Sequence, residues 1–299
     1  MAIDTHETPA AGLDASREFL LTARDFSRIA ATVHQMAGIK LPESKVNLVY
    51  SRLAKRLREL RLDNFGDYCS VIADPDEHAE REAMIAALTT NVTQFFREMH
   101  HFEHLKTAIL PRIKAAAQAG QRVRLWSAAC SSGQEPYSMA LTILAAWPEA
   151  AEQDVKILAT DIDANMLAKG QAGIYDDAVI KPVPPALRSR WFEQARRNGE
   201  DVNWRAGPEL RAMIAFRKLN LIGEWPMRGP FQAIFCRNVV IYFDQPTQSK
   251  LWSRLAPLLA PDGALYIGHS ERVSGPAEKR LTGDGTTTYR PVAAGGRAP

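Results

Sequence analysis

The stretch from Arg122 to Gln171 constrains the fold more than any other part of the chain. Arg122 to Cys130 (RVRLWSAAC) is a short apolar run of strand length, followed by a polar loop from Ser131 to Glu135. Pro136 to Trp147 reads as an apolar helix, with Pro136 suited to the first turn, where a missing N–H leaves no bond unmade. A second strand at Val155 to Thr160, the acidic turn Asp161-Ile162-Asp163 and a helix from Ala164 to Gln171 complete the pattern. Strand, loop, helix, strand and acidic turn is the order of a nucleotide-binding βαβ unit. The alternation breaks off between residues 174 and 218, through Pro182, Pro184, Pro185 and the polar Arg196 to Gly207, which reads as an insertion. It resumes with a buried strand and loop at Phe231 to Phe243, a helix at Pro246 to Leu259, and strands at Ala264 to Ile267 and Thr286 to Pro291.

Upstream the pattern is helical, with runs from Asp25 to Met36 and from Leu41 to Leu60. Val46, Val49, Leu53, Leu57 and Leu60 recur at three- and four-residue steps and form one buried stripe. Lys45, Arg52, Lys55, Arg56 and Arg58 fall on the opposite arc, a solvated face or a docking surface for an acidic partner. The turn Ala73-Asp74-Pro75-Asp76 and the charged helix after it place a boundary before residue 91. The predicted layout is a disordered tail at 1–15, a helical domain at 16–75, a linker helix at 76–90, an α/β domain at 91–292 with an inserted β subdomain at 174–218, and a tail at 293–299.

Hydrophobic residues at 46% and charged residues at 24% suit a globular chain, and no apolar run approaches membrane-spanning length. The polar start, with Asp4, His6, Glu7 and Asp14, is unlike a secretory signal. Three widely spaced cysteines fit neither a disulfide framework nor a CxxC metal site, which predicts a reducing compartment. The net charge of +3 does not argue for nucleic acid, and the aromatic residues do not alternate with a basic stripe as single-strand binders require. His100, His101 and His104 lack a recognisable third ligand nearby, so no metal is expected.

In a doubly wound sheet, ligands sit beyond the carboxyl ends of the strands. The loop Ser127 to Gln134 occupies that place with one glycine, Gly133, where a pyrophosphate binder usually shows three. A cofactor without phosphates fits better, and S-adenosylmethionine is one. Asp161 stands where a carboxylate accepts from both ribose hydroxyls, and Glu135 is placed to hold an ammonium group; each is otherwise a surface turn carboxylate.

Asn91-Val92-Thr93-Gln94-Phe95-Phe96-Arg97, followed by WSAACSSGQEPYS, ATDID, FRKLNL, CRNVVIYF and GHSE in that order, resembles the CheR family of chemoreceptor glutamate methyltransferases. The resemblance implies a Rossmann-like α/β methyltransferase domain preceded by an all-helical, receptor-docking domain. It implies cofactor contacts from Asn91, Thr93, Arg97, Glu135, Asp161, Asn220, Leu221, Arg237 and Asn238. Arg97 and Tyr242 match the pair that faces the methyl group and the incoming glutamate. Ala129 and Gln134 depart from the family's commoner glycine and glutamate.

The implied reaction is methyl transfer from S-adenosylmethionine to glutamate carboxylates of methyl-accepting receptors, leaving S-adenosylhomocysteine. A glutamate side chain, whose ordinary pKa is about 4.3, is already ionised at neutral pH, so no general base is needed. Arg97 suits an orienting role, or else a structural ion pair; Tyr242 donates a hydrogen bond or walls the pocket. The implied partner of the Lys45 to Arg58 face is the receptors' cytoplasmic domain, with a cytoplasmic, monomeric enzyme recruited to receptor arrays without membrane insertion. The insertion resembles a β subdomain that grips a receptor tail in some members, but Ala195-Arg196-Arg197-Asn198-Gly199 lacks paired glycines, and tethering stays open. The competing readings are a catalytically silent cofactor-sensing adaptor and a methyltransferase for another substrate.

Overall fold

The computed structural model describes residues 17–197 and 200–293 and divides them into two compact units, 17–90 with 242–244 and 91–241 with 245–293. The expected tails at 1–15 and from 294 onward, and the Asn198-Gly199 corner, lie outside the described residues.

The first unit holds helices α1 (Ala23–Ala37), α2 (Val46–Leu60), α3 (Phe65–Ala73) and α4 (His78–Leu88). Thr22 starts α1 with a capping box: its hydroxyl accepts from the Asp25 amide at 3.1 Å and its own amide donates to the Asp25 carboxylate at 3.2 Å. Gly38, at φ 72°, ends it. In α2 the buried face is Val46, Val49, Tyr50, Leu53, Ala54 and Leu57. Leu60, expected in the stripe, is 37% exposed, because Arg61 turns left-handed at φ 57° and stops the helix there.

In the second unit α5 (His100–His104) runs through a π turn at Leu105–Ile109 into α6 (Leu110–Gln118). There follow β1 (Val123–Ala128), α7 (Gln134–Ala146), β2 (Val155–Asp161), α8 (Ala164–Ala172), β3 (Ile174–Asp176), α9 (Asp177–Ile180), α10 (Pro185–Trp191), β4 (Phe192–Arg197), β5 (Glu200–Ala206), α11 (Pro208–Met213) and β6 (Ile214–Lys218). The chain ends with β7 (Phe231–Cys236), α12 (Gln245–Leu255), β8 (Leu259–Ile267), β9 (Leu281–Gly283) and β10 (Thr288–Pro291). The main sheet has the order β6-β2-β1-β7-β8-β10-β9, parallel through β8 and antiparallel beyond it. Its winding reverses between β1 and β7, since β2 and β6 extend to one side of β1 and β7 and β8 to the other. A separate antiparallel sheet, β3-β5-β4, forms within the expected insertion.

Three expectations need adjusting. The stretch 174–218 is not all insertion, because β6 pairs with β2 from Ile157↔Ile214 to Asp161↔Lys218 and is a full member of the main sheet. Helix α7 starts at Gln134, two residues ahead of Pro136, with Gly133 as its left-handed cap at φ 95°. The strand expected from Phe231 stays extended only to Cys236, because Asn238 turns to φ 57°.

Fully buried residues of α7 such as Tyr137, Met139, Leu141 and Leu144 pack on the apolar residues of β1 and β2, each large side chain contributing about 1.5–3 kcal/mol by leaving water. Gly133 is fixed by more than its φ: a Cβ there would sit 2.8 Å from the Gly170 Cα on α8. Cys69, Cys130 and Cys236 are free and buried; burial pushes the Cys69 thiol up to about 12 and the other two well above the ordinary range. No helix among the described residues is long and apolar enough to cross a membrane.

Candidate functional site

The register sets the stage, because Ala128, the last residue of β1, lies level with Thr160 on β2 and Cys236 on β7. The loops that leave these strands carry Ser131 to Glu135, Asp161 to Asp163, and Arg237 with Asn238. They open at the reversal of winding, the place where open α/β sheets bind ligands.

Asp161 is buried, and its carboxylate accepts from the Ser131 amide at 2.8 Å and the Asp163 amide at 2.9 Å. Burial pushes its carboxyl up while those two amides pull it back. Its carbonyl accepts from the Leu219 amide at 2.9 Å, which brings Asn220 beside it. The Asn220 side chain accepts from the Ile222 amide at 3.1 Å, and Arg254 on α12 donates to the Leu221 carbonyl at 3.0 Å, so this turn is held from both sides. Asn91 donates to Asp163 at 3.0 Å, and its carbonyl accepts from the Ser131 hydroxyl at 2.8 Å. The segment after Asn91 is thereby laced to the loops of β1 and β2; Thr93 within it is half-buried.

Glu135, in the first turn of α7, accepts from the Ser127 hydroxyl at 2.7 Å and from Arg237 Nη1 at 3.1 Å. The second bond spans the reversal between β1 and β7. Burial pushes the Glu135 carboxyl up, against the pull of Arg237 and Ser127. Arg237 is itself 2% exposed, faces Glu98 through Nη2 at 3.3 Å, and donates from the same nitrogen to the Arg97 carbonyl. Burial works against the ionised form of Glu98, but Arg237 and hydrogen bonds from His269 and Asn238 outweigh it and hold the carboxyl at about 2. The Arg97 side chain is half-buried and donates to the Val92 carbonyl at 3.2 Å.

Backbone strain concentrates on the same loops. Phe96, Glu98, Ala129, Ser131 and Asn238 all have φ between 50° and 61°, a region that L-residues other than Asn and Asp seldom enter. Ala129 is among them, so the glycine it replaces relative to the commoner pattern would sit there unstrained. Gln134 is buried, and its side-chain oxygen accepts from the Ser132 hydroxyl at 2.9 Å.

Two buried atoms here, Arg237 Nε and Glu98 Oε2, have no hydrogen-bond partner among the described residues. A buried guanidinium N–H without an acceptor, with the Glu135 carboxylate next to it and Asp161 at the end of β2, matches the carboxylate, ammonium and ribose of S-adenosylmethionine.

Residues 91–289 match the family described as CheR methyltransferase, SAM binding domain, and residues 24–89 match the CheR methyltransferase all-alpha domain. The chain belongs to the CheR methyltransferase family. Among its relatives, the probable chemotaxis protein methyltransferase of Rhizobium etli is 51% identical over 86% of this chain and 96% of its own. Chemotaxis protein methyltransferase 2 of Pseudomonas aeruginosa is 41% identical over 93% and 96%, and the Escherichia coli chemotaxis protein methyltransferase 41% over 93% and 94%. The chain is accordingly an S-adenosylmethionine-dependent methyltransferase.

Other residues singled out by the CheR resemblance lie in the helical unit, and their surroundings differ from a free basic face. Arg52 donates to the carbonyls of Ala87 at 3.2 Å and Thr89 at 2.6 Å. Arg56 grips the buried Glu80 through Nε at 3.1 Å and through Nη2, and also meets Glu59. Both arginines therefore hold α2 to α4 and its C-terminal end. Lys45, Lys55 and Arg58 are exposed, with Arg58 paired to Glu18 at 2.6 Å and Lys55 3.8 Å from Glu59. Tyr242 also groups with the helical unit; its carbonyl accepts from the Lys40 amide at 2.8 Å.

The sequence pattern assigns no role to Glu98, His101, His269 or Glu271. Glu271 is buried and accepts from four amides: Gly268 at 2.6 Å, Asn238 at 3.1 Å, Val239 at 2.9 Å and Val240 at 3.0 Å. It pins the loop that carries Arg237. The signal for it lay in the GHSE tetrapeptide, whose glutamate follows a glycine amide by the spacing of a loop cap.

Glu98, His100 and His101 bring ligand atoms within 4.8 Å of one another. Arg237 lies 3.3 Å from Glu98 in the same place and opposes a second cation.

His101 is fully buried; burial first, then Arg237, push its pKa down to about 3. The unfolded residue takes a proton below about pH 6.5, the folded one only near the lower value, so stability drains away as the pH falls between them. All six tryptophans lie in the second unit and report its unfolding. Going from pH 7 to pH 5 should cost the wild type about 2 kcal/mol more than it costs His101→Asn, in urea titrations followed by tryptophan fluorescence. Equal losses would remove His101 from the acid response.

Proposed function

We propose that the chain transfers the methyl group of S-adenosylmethionine to glutamate side chains of methyl-accepting chemoreceptors, forming methyl esters for chemosensory adaptation. The carrying observation is that the titratable groups gathered beyond the strands are committed to protein partners: Asp161 to two amides, Glu135 to Ser127 and Arg237, Glu98 to Arg237 and His269, and His101 to full burial. A site so arranged suits a nucleophile that arrives ionised, as a carboxylate does at neutral pH. The bound cofactor supplies an electrophilic methyl group on a sulfur leaving group.

In this reading Asp161 takes the ribose hydroxyls, Glu135 the ammonium and Arg237 the carboxylate of the cofactor. Asn220 and Leu221 flank the adenine, and Asn91, Thr93 and Asn238 wall the remainder. Arg97, anchored through one nitrogen to Val92, turns the rest of its guanidinium fork to the incoming carboxylate and aligns one oxygen for transfer. Tyr242 is assigned no role.

The acidic receptor surface docks on the exposed cations along α2 and at its N-cap, Lys45, Lys55 and Arg58, rather than on Arg52 and Arg56. The relatives' names as chemotaxis protein methyltransferases support the choice of acceptor.

Labelled methyl cofactor incubated with receptor-bearing membranes should give protein-bound label that mild alkali releases as methanol. Alkali-stable label would mean another acceptor, and cofactor binding without any label a silent adaptor. In the same assay Lys45→Glu with Lys55→Glu should raise the KM for receptor by about tenfold, the order expected for two surface charges at roughly 0.5–1 kcal/mol each, and leave cofactor affinity unchanged. An unchanged KM would remove α2 from docking.

A further inference from the structure

We propose that Glu98 gives the cofactor end a surplus negative charge that favours the sulfonium cofactor over its neutral-sulfur product. The inference rests on the reading that Glu135, Arg237 and Asp161 hold the cofactor. Arg237 faces two carboxylates, Glu135 at 3.1 Å and Glu98 at 3.3 Å, with side chains 2%, 12% and 11% exposed. Glu135 alone would balance the guanidinium. Glu98 is the excess, and the trio is a net monoanion sheltered from water.

The geometry holds that charge in place. Glu98 Oε1 receives the His269 amide at 3.3 Å, His269 Nδ1 at 3.0 Å and the Asn238 side-chain amide at 3.4 Å. Oε2 faces Arg237 and, at 3.5 Å, His101 Nδ1. His101 is fully buried beside the guanidinium, an environment that disfavours a second cation and keeps the ring from cancelling the excess charge. Glu98 occupies a left-handed conformation at φ 58°, so the surroundings keep it here against local preference. The cofactor carries an ammonium, a carboxylate and a sulfonium, a net single positive charge. After methyl transfer the sulfur is neutral and the net charge is zero. A fixed monoanion attracts the first and is indifferent to the second. For an uncompensated anion in the same sheltered site, at an effective dielectric near 20, the difference is worth roughly tenfold or more in affinity.

Calorimetric titration of the full chain with S-adenosylmethionine and S-adenosylhomocysteine tests this. Glu98→Gln, close in shape and uncharged, should weaken S-adenosylmethionine by about tenfold and the product by less than about twofold. Equal weakening of both, or no change in their ratio, overturns the proposal. Glu98→Asp and Glu98→Asn form a second pair of matched size, and the ratio should follow charge, high for Asp and low for Asn, even where both bind less well; a ratio indifferent to charge again overturns it. Asp161→Ala in parallel should weaken both ligands alike. If it weakens neither, the assignment of the cofactor end fails, whatever Glu98 does.

Discussion

Replacing Arg56 with alanine should destabilise the helical unit by about 3–5 kcal/mol, the usual cost of leaving a buried charge without its partner. Glu80 is 5% exposed, and its carboxylate is held by Arg56 and by the Tyr68 hydroxyl at 2.8 Å. Removing the guanidinium leaves a largely buried anion without its cation. Burial and the neighbouring Glu80 push the Tyr68 hydroxyl well above its ordinary range, so it stays a neutral donor and does not replace the lost charge. Arg56→Glu should be worse, since it sets two carboxylates against each other. The double change Arg56→Met with Glu80→Leu should recover part of the loss, because apolar replacements of similar volume dispense with the desolvation cost of the ion pair while the Tyr68 hydroxyl loses its acceptor.

The tryptophans make the assay selective. Far-UV circular dichroism should show an early transition in Arg56→Ala while tryptophan fluorescence, confined to the second unit, keeps its wild-type midpoint. Coincident, unshifted transitions would mean that the Arg56–Glu80 pair contributes little. Charge reversal at Arg52 and Arg56 would likewise strip α2 of its partners on α4, so a loss of activity there would not separate docking from folding.

The second large effect belongs to Glu271. Alanine at this position abandons four backbone donors at once. Each buried unpaired donor costs about 1–3 kcal/mol, and water entering the space relieves part of it, so a net loss of about 3–5 kcal/mol is expected. Glu271→Gln should not rescue, because two amides address each oxygen and the NH2 group would face two of them as donor against donor. Here the fluorescence transition should move and carry part of the far-UV signal with it, since α5 to α12 lie in the same unit. Cofactor affinity should fall by at least about tenfold, since a loosened loop no longer presents Arg237 in one position and well-placed charged contacts are worth about 1.5–3 kcal/mol. A variant that loses stability but binds cofactor as tightly as the wild type would show that Arg237 is held by Glu98 and Glu135 alone.

These residues also mark where the sequence was legible. The strands β1 and β2 and the acidic turn were readable because apolar runs of strand length, bounded by a polar loop and a proline-started helix, admit few alternatives. Strand β6 was not: Ile214–Lys218 is only half-buried, follows a proline-rich stretch, and acquires its identity from pairing with β2. Asp161 and Glu135 could be singled out because they stand next to their strands. Glu98 and Glu271 were missed because their partners lie in segments remote along the chain, and no local pattern says that a charge is buried. Arg52 and Arg56 illustrate the converse. Helical spacing put them on a solvent arc, and only the carbonyls of Ala87 and Thr89 and the carboxylate of Glu80 show that the arc is covered.

The three cysteines have a practical consequence of another kind. A maleimide is attacked by a thiolate, and all three thiols are sealed in the interior and held in the protonated form. The native chain therefore tolerates one added surface cysteine without prior removal of its own, and a dye placed on it would report against a silent background.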